Sequence, residues 1–205
     1  IICSDKTGTL TQNKMTVRKI YVDGKLINGS EISLDNKVEE YLIKNSILCN
    51  DSTSKDGKEI GDPTEVALVN LGHEILINEV ELRSKYERLA EIPFDSDRKL
   101  MSTLHKIDSK NIMFTKGALD VILDRVKFIM TSDGVRELTE NDKNEILDVN
   151  RRLSESGLRV LCFAYKELNE IKELNLNDEY NYIFIGLISM IDPPREESKQ
   201  AVADC

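Results

Sequence analysis

Two short runs rich in β-forming residues flank Asp23-Gly24 in VRKIYVDGKLI (17–27), and an Asp-Gly pair recurs further on in SDGVREL. Pairs of this kind accept the backbone angles of a tight hairpin turn, so each makes its flanking strands antiparallel neighbours. Further strands are expected at YERLAEIPF and KLMSTLHKI, on either side of Asp95 to Arg98, and at NIMFTKG. Two more close the chain, LRVLCFAYK (158–166) and YIFIGLISMI (182–191), with a polar, acidic loop or weak helix between them. Roughly seven strands joined largely as hairpins, with helices inserted in pairs, predict an antiparallel or mixed sheet with helices packed on it. The sequence holds no βαβ series, internal repeat or low-complexity stretch.

The helices announce themselves by period and cap. In LDNKVEEYLIKNSILCN the apolar positions Val38, Tyr41, Leu42, Leu48 and Cys49 recur near the 3.6-residue period, with Asp35 expected as the N-cap. GDPTEVALVNLG carries Asp62 as cap, Pro63 at the first helical position and Glu65 where it would close a capping-box-like pair. A short helix is expected near 78–86 and another in ALDVILDRV. A longer one runs from a Thr139 cap to a Gly157 stop through Ile146, Leu147 and Leu153.

Composition narrows what such a fold can do. With 205 residues, 40% of them apolar, the chain can bury a substantial core; aromatics are only 5% and Trp is absent, so that core is aliphatic. A net charge of −9, from 37 acidic against 28 basic side chains, argues against a nucleic-acid-binding module. One anionic ligand remains compatible, because a Debye length of about 8 Å screens distant charge. The four cysteines, Cys3, Cys49, Cys162 and Cys205, lack metal-ligand spacing and are read as reduced, cytosolic thiols. No signal peptide opens the sequence, and the apolar run at 182–191 is half of the ~20 residues a bilayer requires, so this segment is expected not to insert in a membrane.

The chemistry concentrates in SDKTGTLTQN (4–13). IICSD is a short apolar run ending in an acid, and Gly8 in the following KTGT permits a backbone geometry other residues resist. A carboxylate at a strand end, beside a turn whose N–H groups can face phosphate oxygens, suits attack on a phosphoryl group. Lys6, Thr7 and Thr9 add donors. Asp, Lys, Thr and Gly are equally ordinary turn residues, and from spacing alone a plain turn is the commoner reading.

DKTGTLT at 5–11 resembles the phosphorylation motif of the P-type ATPases, ion-pumping membrane proteins. The likeness continues in the same order through GDPTE (61–65), FDSDRK (94–99), KGA (116–118), LRVL (158–161) and DPPR (192–195). With TQNKMTV after the motif, the set looks like a type II pump, most similar to bacterial calcium-transporting ATPases. The resemblance implies an α+β fold, a mostly antiparallel twisted sheet flanked by helices. It also implies three segments. Residues 1–13 would belong to a haloacid-dehalogenase-like phosphorylation domain and hinge, 14–191 to the nucleotide-binding domain, and 192–205 to the hinge and the start of the second part of the phosphorylation domain.

By that resemblance Asp5 takes the γ-phosphoryl of ATP, Lys6 helps neutralise it, Thr9 contacts the phosphate, and Asp5 with the Thr7 carbonyl helps hold Mg²⁺. Haloacid-dehalogenase-type phosphatases usually carry a second Asp where this chain has Thr7, and Thr cannot serve as an acid–base group. In the pocket, Phe94 would stack on adenine, Glu65 would lie near the adenine amino group, and Lys116, beside the small Gly117-Ala118, would face phosphate. Lys99 would be a second pocket lysine, Arg159 would reach the phosphate chain, and Leu161 would cover the base. Each has a bland counterpart: a core Phe, a cap for Glu65, exposed strand-end lysines, a solvated strand Arg, and Arg98 paired with Asp97. Ser96 stands where eukaryotic calcium pumps carry an Arg, which puts one phosphate contact in doubt. The family's TGD and GDGxND motifs and its transmembrane helices are not in the sequence. The reading is therefore the ATP-binding part of a larger, multi-pass cell-membrane pump, lying on the cytoplasmic side, whose partners are ATP and the phosphorylation, actuator and transmembrane parts of the same polypeptide. Alone, the segment would bind ATP without hydrolysing it. The alternatives are a soluble phosphatase of the haloacid-dehalogenase type with a large cap, and a non-catalytic nucleotide-binding module.

Overall fold

The structure, a computed structural model, describes residues 3–204, so Ile1-Ile2 of the expected opening strand and Cys205 lie outside the described residues. Strands β1 (Thr16–Val22) and β2 (Lys25–Asn28) form the first hairpin. Asp23 (φ 51°) and Gly24 (φ 69°) turn it, both in the left-handed region that a two-residue hairpin loop demands. Next come α1 (Lys37–Leu48), the small hairpin β3 (Thr53–Lys55) and β4 (Lys58–Ile60), α2 (Pro63–Glu74) and α3 (Glu79–Lys85). The central hairpins are built from β5 (Ala90–Asp95), β6 (Leu100–Ile107) and β7 (Lys110–Gly117). They are followed by α4 (Leu119–Leu123), β8 (Val126–Thr131), β9 (Gly134–Glu137), α5 (Glu140–Glu155), β10 (Arg159–Leu168), β11 (Tyr182–Ile191) and α6 (Glu196–Asp204).

Nine of the strands make one sheet, in the order β2-β1-β11-β10-β7-β6-β5, with β8 and β9 attached beside β11. Every pairing is antiparallel except β8 with β11, which run parallel over Tyr182–Phe184. The sheet has two apolar faces, and alternation along each strand serves both. On β10, Phe163 and Tyr165 face α1 and α2, while Cys162 and Ala164 face α4 and α5. Tyr41, Leu42, Ile47 and Leu68 cover the first face; Leu119, Ile122, Ile146 and Leu153 cover the second. Asn45 ties α1 to the sheet, its amide donating to the carbonyls of Thr115 (3.1 Å) and Ala164 (3.0 Å).

Several local expectations are corrected by the structure. Asn36, not Asp35, caps α1, its side chain accepting from the N–H groups of Val38 (2.8 Å) and Glu39 (3.3 Å). Leu147 is exposed and Val149 takes the core position, because the buried stripe of α5 passes through Ile146, Val149 and Leu153 at helical spacing. The ALDVILDRV helix ends at Leu123, and Val126 already belongs to β8. The second hairpin turns at Ser132-Asp133, with Thr131 opposite Gly134. The hairpin β3–β4, turned by Asp56-Gly57, was not anticipated although it carries the same Asp-Gly signal. Cys49 and Cys162 are buried and free, and burial pushes both thiols up from the ordinary cysteine range; Cys3 is exposed.

Candidate functional site

Where α2 begins, β7 ends and β10 begins, the strand ends open into a cleft of about 310 Å³. Phe94, Glu65, Lys116, Gly117, Arg159 and Leu161 line it, joined by Asp51, Asp62 and Thr64. The register of the central strands makes this convergence: Leu100 pairs with Gly117 on one side and Cys162 pairs with Gly117 on the other. The last residues of β7 therefore lie between the start of β6, where the turn after Phe94 ends, and the start of β10. Gly117 permits the close approach, since a Cβ there would come within 2.1 Å of the Lys99 carbonyl oxygen.

Phe94 is 61% exposed and lines the cleft, which leaves its ring accessible there. Lys116, by contrast, is 6% exposed. Its ammonium donates to Glu65 Oε1 (2.6 Å) and to the Cys49 carbonyl, and approaches Met101 Sδ at 3.2 Å. The ammonium lies at the floor of the cleft and is not the exposed strand-end lysine of the bland alternative. Glu65 does not close a capping box, since it turns away from Asp62. Its Oε2 accepts from the Asp51 N–H (3.1 Å) and the Ser52 hydroxyl (3.1 Å), while Asp62 alone caps α2 through the Thr64 N–H (2.8 Å). One lone pair of Oε1 is left over after these contacts.

Lys99 stands outside the cleft. It adopts a left-handed backbone angle (φ 60°) and its ammonium pairs with Asp120 at 3.3 Å on the surface. Arg98 does not serve Asp97; it turns inward to Glu179, with Nε 2.9 Å from Oε2. Asp51 and Thr64 are cleft residues that the sequence reading passed over. Thr64 sits inside GDPTE and could have been noticed there, whereas Asp51 reaches the site only through packing of the loop after α1. Asp51 is neutralised by Arg88 (2.7 Å) and Glu65 by Lys116. Arg159 makes no ion pair among the described residues; its guanidinium donates to Thr64 Oγ1 at 3.0 Å and has donors to spare.

Arg159, Asp62 and Thr64 also line an adjoining cavity of about 580 Å³, which includes Lys6, Thr7 and Asp192. The motif segment Lys6–Leu10 is a kinked turn with Gly8 at φ 77°, closed by the Thr11 N–H to the Lys6 carbonyl (3.1 Å). Asp5 precedes it in extended backbone, with Oδ1 accepting the Lys6 N–H at 2.8 Å. Residues 3–5 form no strand, so among the described residues Asp5 starts a turn instead of ending a strand. Thr9 is exposed on the turn. The turn is tied to DPPR from two sides. Thr11 Oγ1 donates to Asp192 Oδ2 (2.5 Å), and the Arg195 guanidinium donates to the carbonyls of Thr11 and Gly8, both at 3.0 Å.

The chain matches the family model for the P-type ATPase cytoplasmic domain N over residues 39–197. It is 45% identical over 205 residues to calcium-transporting ATPase 1 of Bacillus cereus, covering 100% of this chain and 23% of that protein. A calcium-transporting ATPase of Listeria monocytogenes is 45% identical over 213 residues (98% of this chain, 24% of that protein). The cation-transporting ATPase of Synechocystis is 36% identical over 233 residues (100% and 25%). The structure combines a mostly antiparallel sheet between two helical layers with a cleft at the strand ends. The chain belongs to the P-type ATPase family, as its cytoplasmic domain N. It spans about a quarter of the length of these relatives (23%, 24% and 25%). No helix among the described residues is long and apolar enough to cross a membrane.

Proposed function

We propose that the cleft binds ATP and that the parent protein is a cation pump, calcium being the ion its relatives' names give. The carrying observation is convergence: an open aromatic ring, an aliphatic cover, a close-approach glycine and an arginine with no acid partner among the described residues meet in one cleft. Adenine would stack on Phe94 under Leu161, a contact worth about 1–3 kcal/mol in base–aromatic systems. Glu65 would accept the adenine amino group through its remaining lone pair. Lys116 would hold Glu65 in that stance and contribute positive potential from the floor. Arg159, at the junction with the second cavity, would take the phosphate chain by its planar fork. Lys99, on the rim, would meet phosphate only by leaving Asp120.

Within the pump's cycle, an Asp5 carboxylate oxygen attacks the γ-phosphorus, ADP leaves, and an aspartyl-phosphate remains; Lys6 helps neutralise the phosphoryl charge and the Thr9 hydroxyl contacts the phosphate. Mg²⁺ usually demands about six oxygen ligands. Asp5 and the Thr7 carbonyl offer oxygens of the right kind, yet no cluster of three His, Cys, Asp or Glu side chains among the described residues is placed to hold a metal. These residues do not make a Mg²⁺ site by themselves, and no step is assigned to one. Residues 1–13 and 192–205 would belong to the phosphorylation domain and hinge and 14–191 to the nucleotide-binding domain, a division supported by the Thr11–Pro194 bridge below a sheet running from Thr16 to Ile191. The domain would face the cytoplasm, with the other domains of the polypeptide as its partners.

Calorimetric titration of ATP into the wild-type, Phe94→Ala and Lys116→Ala chains tests the cleft. Both variants are expected to bind more weakly, and unchanged affinity in both sinks the assignment.

A further inference from the structure

The turn that follows Phe94 is gripped from inside the fold. Asp95 closes it locally: its Oδ1 accepts the N–H groups of Asp97 (3.0 Å) and Arg98 (2.8 Å), and its carbonyl accepts that of Lys99 (2.6 Å). Arg98 then points inward. One guanidinium nitrogen donates to the carbonyls of Pro93 (2.6 Å) and Leu100 (2.8 Å), bracketing Phe94 from both sides of the turn. Its Nε lies 2.9 Å from Oε2 of Glu179, a carboxylate 0% exposed that arrives from the loop before β11; the contact is an ion pair without hydrogen-bond geometry, and neither atom has a hydrogen-bond partner among the described residues.

Glu179 is itself fixed. Oε1 accepts from Ser102 Oγ (2.8 Å), which is linked to Thr115 Oγ1 (2.8 Å) and so to the Tyr182 hydroxyl (2.8 Å). Arg125 donates to the Glu179 carbonyl (3.1 Å) and brings a second positive charge 3.8 Å from the carboxylate. A buried ion pair adds little net stability over well-packed apolar side chains, because desolvation offsets the attraction; its best-attested use is to specify one geometry. The geometry specified here is that of Phe94, whose exposed ring has few neighbours of its own to hold it.

We propose that the buried Glu179–Arg98 pair is the positioning element for Phe94, holding the ring at the cleft wall and thereby setting nucleotide affinity from within the fold. This rests on the nucleotide reading of the cleft, and the test separates the two. Glu179→Gln leaves a buried guanidinium unpaired and can cost the fold. Arg98→Lys keeps a cation yet cannot hold the two carbonyls and Glu179 together, because in Arg98 these contacts come from two separate guanidinium nitrogens, Nη2 and Nε, and a lysine has only one. The chain contains no Trp, so Phe94→Trp supplies a single fluorophore at the position in question.

With ATP as the probe, Arg98→Lys is expected to raise Kd about tenfold, within the range of a lost base–aromatic stack. In the Phe94→Trp background it is expected to lower the indole's anisotropy while the thermal midpoint moves little. In the Phe94→Ala background it should change Kd by less than about twofold, since no ring remains to be misplaced. Glu179→Gln carries the same expectations wherever it folds, and Arg98→Lys decides alone where it does not. Unchanged Kd and anisotropy in Arg98→Lys overturn the proposal, as does an equal loss of affinity in both backgrounds. If Phe94→Ala itself leaves Kd unchanged, the nucleotide reading of the cleft falls instead.

Discussion

Lys116 shows how one side chain is committed by its surroundings. Nearly buried and donating to Glu65 Oε1 at 2.6 Å, it is half of an ion pair whose removal leaves a carboxylate with fewer partners in a largely dry place. Breaking such a pair costs about 3–5 kcal/mol. Lys116→Ala should therefore lose stability as well as ATP affinity, measured by urea unfolding beside calorimetry, whereas Phe94→Ala should lose affinity alone. Gly117 is constrained sterically: a methyl group there meets the Lys99 carbonyl oxygen at 2.1 Å. Gly117→Ala must push β6 and β7 apart at Leu100, and we expect a loss of about 1–3 kcal/mol in the same unfolding experiment. An unaltered midpoint would show that the strand ends yield easily.

At the scale of elements, the β5–β6–β7 unit carries a titratable lock. His105 on β6 is buried, its Nδ1–H directed at the carbonyls of Tyr86 (2.9 Å) and Glu87 (3.1 Å), while Nε2 accepts from the Thr103 hydroxyl (2.8 Å). Burial, helped by the nearby Arg88 charge, brings its pKa down from 6.5 to about 4. The folded state thus prefers the neutral ring, and the unfolded chain binds the proton first as pH falls. Stability from this group is complete above pH 6.5 and is lost progressively as pH falls towards about 4. The loss amounts to about 3 kcal/mol at roughly 1.4 kcal/mol per pH unit. Denaturant unfolding at pH 7, 5.5 and 4.5 should show that slope, and His105→Gln should flatten it. Helix starts offer a simpler check: Asn36→Ala should cost about 1 kcal/mol, and Asp35→Ala much less, because Asn36 holds the N–H groups of Val38 and Glu39.

Over the whole molecule, the cleft and the motif turn share Arg159, Asp62 and Thr64, so nucleotide seated on Phe94 would lie on the same side as Lys6 and Thr7. Phosphoryl transfer depends on positioning and on charge neutralisation around the metal. Incubation with γ-labelled ATP and Mg²⁺ is accordingly expected to leave Asp5 unlabelled in this chain while calorimetry shows binding. Stoichiometric acid-stable label on Asp5 would refute that expectation.

What could be read from the residues alone was local. The Asp23-Gly24 turn, the Asp62-Pro63 helix start, the Thr139 cap and β11 at 182–191 depend on contacts within a few positions, so their signals survive in one dimension. The motif segments could also be placed in order, and the cleft gathers Glu65, Phe94, Lys116, Gly117, Arg159 and Leu161 from them. Partner choice was decided only by the tertiary structure. Lys116 turned to Glu65 and Cys49, Arg98 chose Glu179 instead of its neighbour Asp97, and Lys99 stayed outside with Asp120. The physical reason is that a charged side chain settles where desolvation, strand register and remote donors balance. Glu179 stands 77 residues from Ser102, a separation that no local period encodes.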